Sequence, residues 1–66
     1  MERLIQLRTE AGLTQNKLAQ EIGKSHTYVW SVENGRVGLT ARETIEAWAK
    51  ALGVPADEVY RAIDQV

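Results

Sequence analysis

Sixty-six residues with 8 basic and 9 acidic side chains, no cysteine and a formal charge of −1 leave room for one domain, residues 1–66. Folding at this length buries only about 60% of the unfolded surface, and without cysteine there is no disulfide, thiolate zinc site or thiol nucleophile. No apolar run approaches the roughly 20 residues that cross a bilayer. MERLIQLRTE lacks the apolar core of a signal peptide, so the expectation is a soluble cytoplasmic domain suited to reducing conditions.

Helical periodicity accounts for the whole chain. Leu4, Leu7, Arg8 and Ala11 share one face of a first helix that Gly12 ends. Thr14 caps a second helix with Leu18, Ala19 and Ile22 inward, stopped by Gly23. Ser25 caps a third that runs to Asn34-Gly35, and the loop RVGL follows. Thr40 and Glu43 have the Thr-x-x-Glu spacing of a capping box, opening a fourth helix that carries Ile45, Trp48, Ala49 and Leu52 on one face and stops at Gly53. Pro55 opens a fifth, with Asp57 and Glu58 at the positive end of its dipole and Val59, Tyr60, Ile63 and Val66 as its apolar positions. No segment sustains period-2 alternation, and the connections are short, so the expected fold is an all-α, compact five-helix bundle.

Charge is uneven along this bundle. Residues 14–42 hold Lys17, Lys24, Arg36 and Arg42 against Glu21 and Glu33, whereas residues 43–66 hold two cations against five acids. An anionic partner prefers the middle of the chain. There the third helix, wound at 100° per residue, turns Val29 and Val32 inward, sets Tyr28 on the shoulder of that valine face, and presents His26, Thr27, Trp30 and Ser31 outward. The outward face has no acid and no long flexible cation. Ser, Thr and His offer donors and acceptors to base edges, and a Thr methyl can meet a thymine methyl. Gly23-Lys24-Ser25 adds a cation and free backbone N–H groups at the helix start, suited to phosphate. A solvated polar face is the bland reading of the same pattern, and Trp30 fits it worst because a large exposed ring normally has a partner; folding down against the fourth helix is the other option.

LRTEAGLTQNKLAQEIGKSHTYVWSVENGR, residues 7–36, resembles the helix-turn-helix domains of the lambda repressor and Cro-like (XRE) class. The likeness rests on Leu7-Arg8, Gly12-Leu13-Thr14-Gln15, Leu18-Ala19, Ile22-Gly23, Ser25, Val29 and Glu33-Asn34-Gly35, and continues more loosely through Thr44-Ile45 and Trp48 to Val54. It implies a helix-turn-helix core at about residues 14–35, helices two and three being the DNA-binding unit. By resemblance Ser25, His26, Thr27, Trp30 and Ser31 stand nearest the bases, although the family usually has a small or polar residue where Trp30 stands. Gln15 corresponds to a glutamine that bonds the DNA backbone and supports the reading helix. Asn34 and Arg36 match the segment that touches phosphates, with Asn16, Lys17 and Lys24 as further phosphate contacts. Arg8 and Glu33 correspond to a structural ion pair, which suits an arginine on an apolar helix face, where a lone cation is costly.

The expected partner is double-stranded DNA, bound by a transcriptional regulator with the third helix in the major groove. One such domain buries little surface, so the expectation is a homodimer on an inverted repeat, with half-sites about 34 Å apart. Tyr60, Ile63 and Val66 are the proposed contact, or they close the monomer's own core. The low net charge implies roughly two to four phosphate contacts per subunit. The rival is a protein–protein adaptor that keeps the scaffold and no longer reads DNA, favoured by Trp30 and the acidic C-terminal half. An enzyme is not expected: the chain has one histidine and no cysteine. His26 has no second His or Cys at ligand spacing for a metal, and Glu43 with Glu46 reads as a solvated face. No cofactor, membrane or small-molecule ligand is expected.

Overall fold

A computed structural model describes residues 1–64. It contains α1 (Glu2–Glu10), α2 (Gln15–Ile22), α3 (His26–Glu33), α4 (Arg42–Leu52) and α5 (Ala56–Asp64). Strands are absent among the described residues. Val66 lies outside the described residues.

Capping chemistry explains where the helices start and stop. Thr14 Oγ1 accepts from Lys17 N at 3.1 Å to open α2, and Ser25 Oγ accepts from Tyr28 N at 3.1 Å to open α3. Each side-chain oxygen satisfies a backbone donor that the first turn leaves free. Thr14→Ala removes one such bond at an exposed site. It is expected to cost about 1 kcal/mol, read as a lowered urea midpoint at constant slope. Gly23 ends α2 at φ +71°, a left-handed conformation that suits glycine.

The expected Thr40–Glu43 capping box is not formed. Ala41 is the N-cap of α4, extended at φ −71° and ψ 126°, with no side-chain cap bond. Leu39, which lies outside every helical face, is the reason we identify. Its side chain is 2% exposed and belongs to the core. Burying a leucine stabilises by about 1.5–3 kcal/mol, against about 1 kcal/mol for a cap, so the loop follows Leu39 and the helix starts one residue late. Ala11 is also corrected: it caps α1 at its C-terminus and is exposed.

The core joins all five helices. Trp48, Leu4, Leu18, Ile45, Val29, Val32 and Val59 have fully buried side chains, with Leu7, Ala19, Ala49, Leu52 and Ala62 beside them. α2 packs on both α3 and α4, α5 packs on α4 and α1, and α1 also meets α3. This arrangement fastens the inner face of α3 while its outer face stays free.

Candidate nucleic-acid interface

The helical repeat makes α3 two-sided. Val29 and Val32 point inward and are fully buried; His26, Thr27 and Trp30 are exposed and Ser31 is half-buried. The turn from α2 is tight, with Lys24 N donating to Ala19 O at 2.9 Å and Gly23 N to Gln20 O at 3.3 Å. It joins the C-terminus of α2 directly to the N-terminus of α3. Ser25 has one Oγ lone pair engaged in capping; its hydroxyl proton is not used by that bond.

A polar chain supports the start of α3. Arg8 Nε donates to Glu33 Oε2 at 2.6 Å and Arg8 Nη2 to Glu33 Oε1 at 3.3 Å, while Arg8 Nη1 donates to Leu13 O at 2.9 Å. Glu33 is 3% exposed, the one charged side chain in the buried set. Its Oε1 also accepts from Gln15 Nε2 at 2.8 Å, and Gln15 Oε1 lies 3.0 Å from His26 Nε2. The chain runs from α1 through the end of α3 and the start of α2 to the first residue of α3. Sequence reading paired Arg8 with Glu33 by resemblance but missed the continuation to Gln15 and His26. The available signal was that Gln15 and His26 both open helices joined by a short turn.

Of the residues expected at phosphate, Gln15 has its side chain engaged by Glu33 and His26, and the other five form two groups. Asn16, Lys17 and Lys24 are exposed near the N-termini of α2 and α3. Lys17 Nζ is 3.9 Å from Glu21 Oε1, an exposed pairing of little energetic weight. Lys24 Nζ sits 5.4 Å from the Tyr28 ring centroid. Burial pushes the Tyr28 hydroxyl above its ordinary range, so Tyr28 stays a neutral donor through physiological pH.

At the other end of α3, Asn34 Nδ2 donates to Trp30 O at 2.8 Å, capping the helix with its own side chain. Arg36 returns over Trp30, its guanidinium 5.3 Å from the ring centroid, close enough for cation–π attraction. Trp30 is 41% exposed, so it is not folded down into the core. Its partner is Arg36. Sequence reading placed these two residues in separate roles, and the structure brings them together at one edge of the outward face.

On α5, Val59 is fully buried and Ile63 packs against the core, whereas Tyr60 is 39% exposed. Among the described residues no group of three or more His, Cys, Asp or Glu could hold a metal ion. No described helix is long and apolar enough to cross a membrane. A family model described as a helix-turn-helix domain matches residues 2–62. No curated protein matches the chain.

Proposed function

We propose that this chain, which belongs to the helix-turn-helix domain family of the lambda repressor-like (XRE) kind, is a sequence-specific regulator that binds double-stranded DNA in the cytoplasm. α3 enters the major groove and α2 lies across the backbone. The observation that carries this reading is the outward face of α3: His26, Thr27, Trp30 and Ser31, with no acid among them, above a fully buried Val29 and Val32. The first-turn backbone N–H groups of α2 and α3, with Lys17 and Lys24, grip phosphate on one side. Arg36 and Asn34 lie on the other.

The protein acts as a homodimer on an inverted repeat. Tyr60 leads the contact, because it is the exposed aromatic of α5, while Ile63 is largely committed to the monomer's own core. Half-sites about 34 Å apart then meet two copies of α3 on one face of the duplex.

Selection from a random duplex pool at about 0.15 M salt, where exposed charges are screened beyond roughly 8 Å, tests the reading. An enriched inverted repeat with half-sites one turn apart supports it. On that duplex, combining His26→Ala, Thr27→Ala and Ser31→Ala is expected to cost roughly 1–3 kcal/mol per specific contact, with a nearly unchanged urea midpoint. Absence of any enrichment, with weak binding that vanishes as salt rises, favours a protein–protein adaptor using the Trp30–Arg36 edge.

A further inference from the structure

His26 opens the reading helix with one ring nitrogen committed inside the protein and the other free. Its Nε2 faces Gln15 Oε1 at 3.0 Å, and among the described residues its Nδ1 has no hydrogen-bond partner. Which nitrogen carries the proton therefore decides whether His26 offers DNA a donor or an acceptor.

Three residues of the polar chain behind His26 settle that choice. Arg8 is a permanent cation with donors only. It clasps Glu33 through Nε and Nη2, so the carboxylate has only lone pairs to offer a third partner. That partner is Gln15, whose amide lies 2.8 Å from Glu33 Oε1. At this separation the amide must turn its NH2 to the carboxylate, since the opposite orientation sets two acceptors against each other. The Gln15 carbonyl oxygen is then forced toward His26, where it accepts a proton from Nε2. A neutral imidazole protonated on Nε2 has its lone pair on Nδ1.

We infer that the Arg8–Glu33–Gln15 chain holds His26 in its Nε2–H tautomer, and that the Nδ1 of this exposed side chain reads an exocyclic amino group of adenine or cytosine. In the major groove only adenine N6 and cytosine N4 present donors; guanine N7 and O6 and thymine O4 are acceptors. Phosphate oxygens are acceptors too, so an Nδ1 lone pair discriminates against the backbone and in favour of a base. His26 touches the base, while Gln15 and Glu33 are positioning residues whose orientation of the ring is paid back as base selectivity. This inference rests on the sequence-reading function proposed above and names what one of its residues selects.

Two measurements test it. Nitrogen-15 NMR of the free 66-residue chain, recorded where the His26 ring shifts no longer change with pH, is expected to show one His26 tautomer, protonated on Nε2. In Gln15→Ala the proton is expected to distribute over both nitrogens. Random-pool selections with the native chain and with His26→Ala then locate the position whose preference His26 supplies. There, replacing the adenine or cytosine of the preferred pair by purine or 2-pyrimidinone, which lack the exocyclic amino group, is expected to weaken binding of the native chain about tenfold, the scale of one good base contact, and to leave that of His26→Ala unchanged.

An Nδ1–H tautomer in the native chain, a tautomer population indifferent to Gln15→Ala, or native binding indifferent to loss of the exocyclic amino group at the mapped pair overturns the inference. Each leaves sequence-specific binding intact. A pool that yields no enriched sequence overturns sequence reading itself, and the base selectivity with it, whatever the NMR result.

Discussion

Arg8→Ala is expected to destabilise the domain by about 3–5 kcal/mol, the usual cost of removing one partner from a buried ion pair. Glu33 is 3% exposed, and the substitution leaves its carboxylate with the Gln15 amide as its remaining side-chain donor. A protein of this length has a total stability of only about 3–10 kcal/mol. The variant is therefore expected to be largely unfolded at physiological temperature, with a much lower urea midpoint. A loss below about 1 kcal/mol would mean that water reaches the carboxylate and that the pair behaves as a surface bridge.

The paired substitution Arg8→Met with Glu33→Leu separates stability from function. Replacing both charges by apolar groups is often neutral or stabilising, so most of the lost stability is expected to return. Gln15 and His26 nevertheless lose the carboxylate that orients them, so the base selectivity proposed for His26 is expected to be lost although the fold returns.

Trp48→Ala is expected to cost about 3–5 kcal/mol as well, by a different mechanism. The indole is fully buried in the core that joins the five helices, and its removal combines lost transfer energy with an unfilled cavity. Trp48→Phe discriminates between packing and polarity. Among the described residues Trp48 Nε1 is buried without a hydrogen-bond partner, a condition that costs roughly 1–3 kcal/mol. Phenylalanine removes that N–H while keeping an aromatic ring, and the smaller ring loses roughly 1–2 kcal/mol of burial. The two effects nearly cancel, so Trp48→Phe is expected to remain within about 1 kcal/mol of the native chain in urea denaturation. A loss as large as that of Trp48→Ala would show that the indole N–H has a partner, such as a buried water.

Read without coordinates, the chain already discloses five helices, their inward faces and the caps at Thr14 and Ser25. Those features depend on residues at most four apart. Helical periodicity, a cap oxygen meeting a backbone N–H three residues on, and a left-handed glycine at a helix end are all local energies written in nearby letters. The two-sidedness of α3 belongs to the same class, because Val29 and Val32 fall opposite His26, Thr27, Trp30 and Ser31 by rotation alone.

The tertiary structure decided what local spacing cannot encode. Leu39 overrode a plausible Thr40 cap because the core offered it more than the hydroxyl offered α4. Arg36 settled over Trp30, giving an otherwise puzzling exposed ring its partner. The chain from Arg8 to His26 joins groups separated by 25, 18 and 11 positions, and exists only because packing brings the ends of α1, α2 and α3 together. Helical spacing alone requires α3 to present a polar face. Which atom of His26 faces outward with a lone pair depends on a buried carboxylate at the far end of the same helix, since the direction of a hydrogen-bond chain is set by its most constrained member.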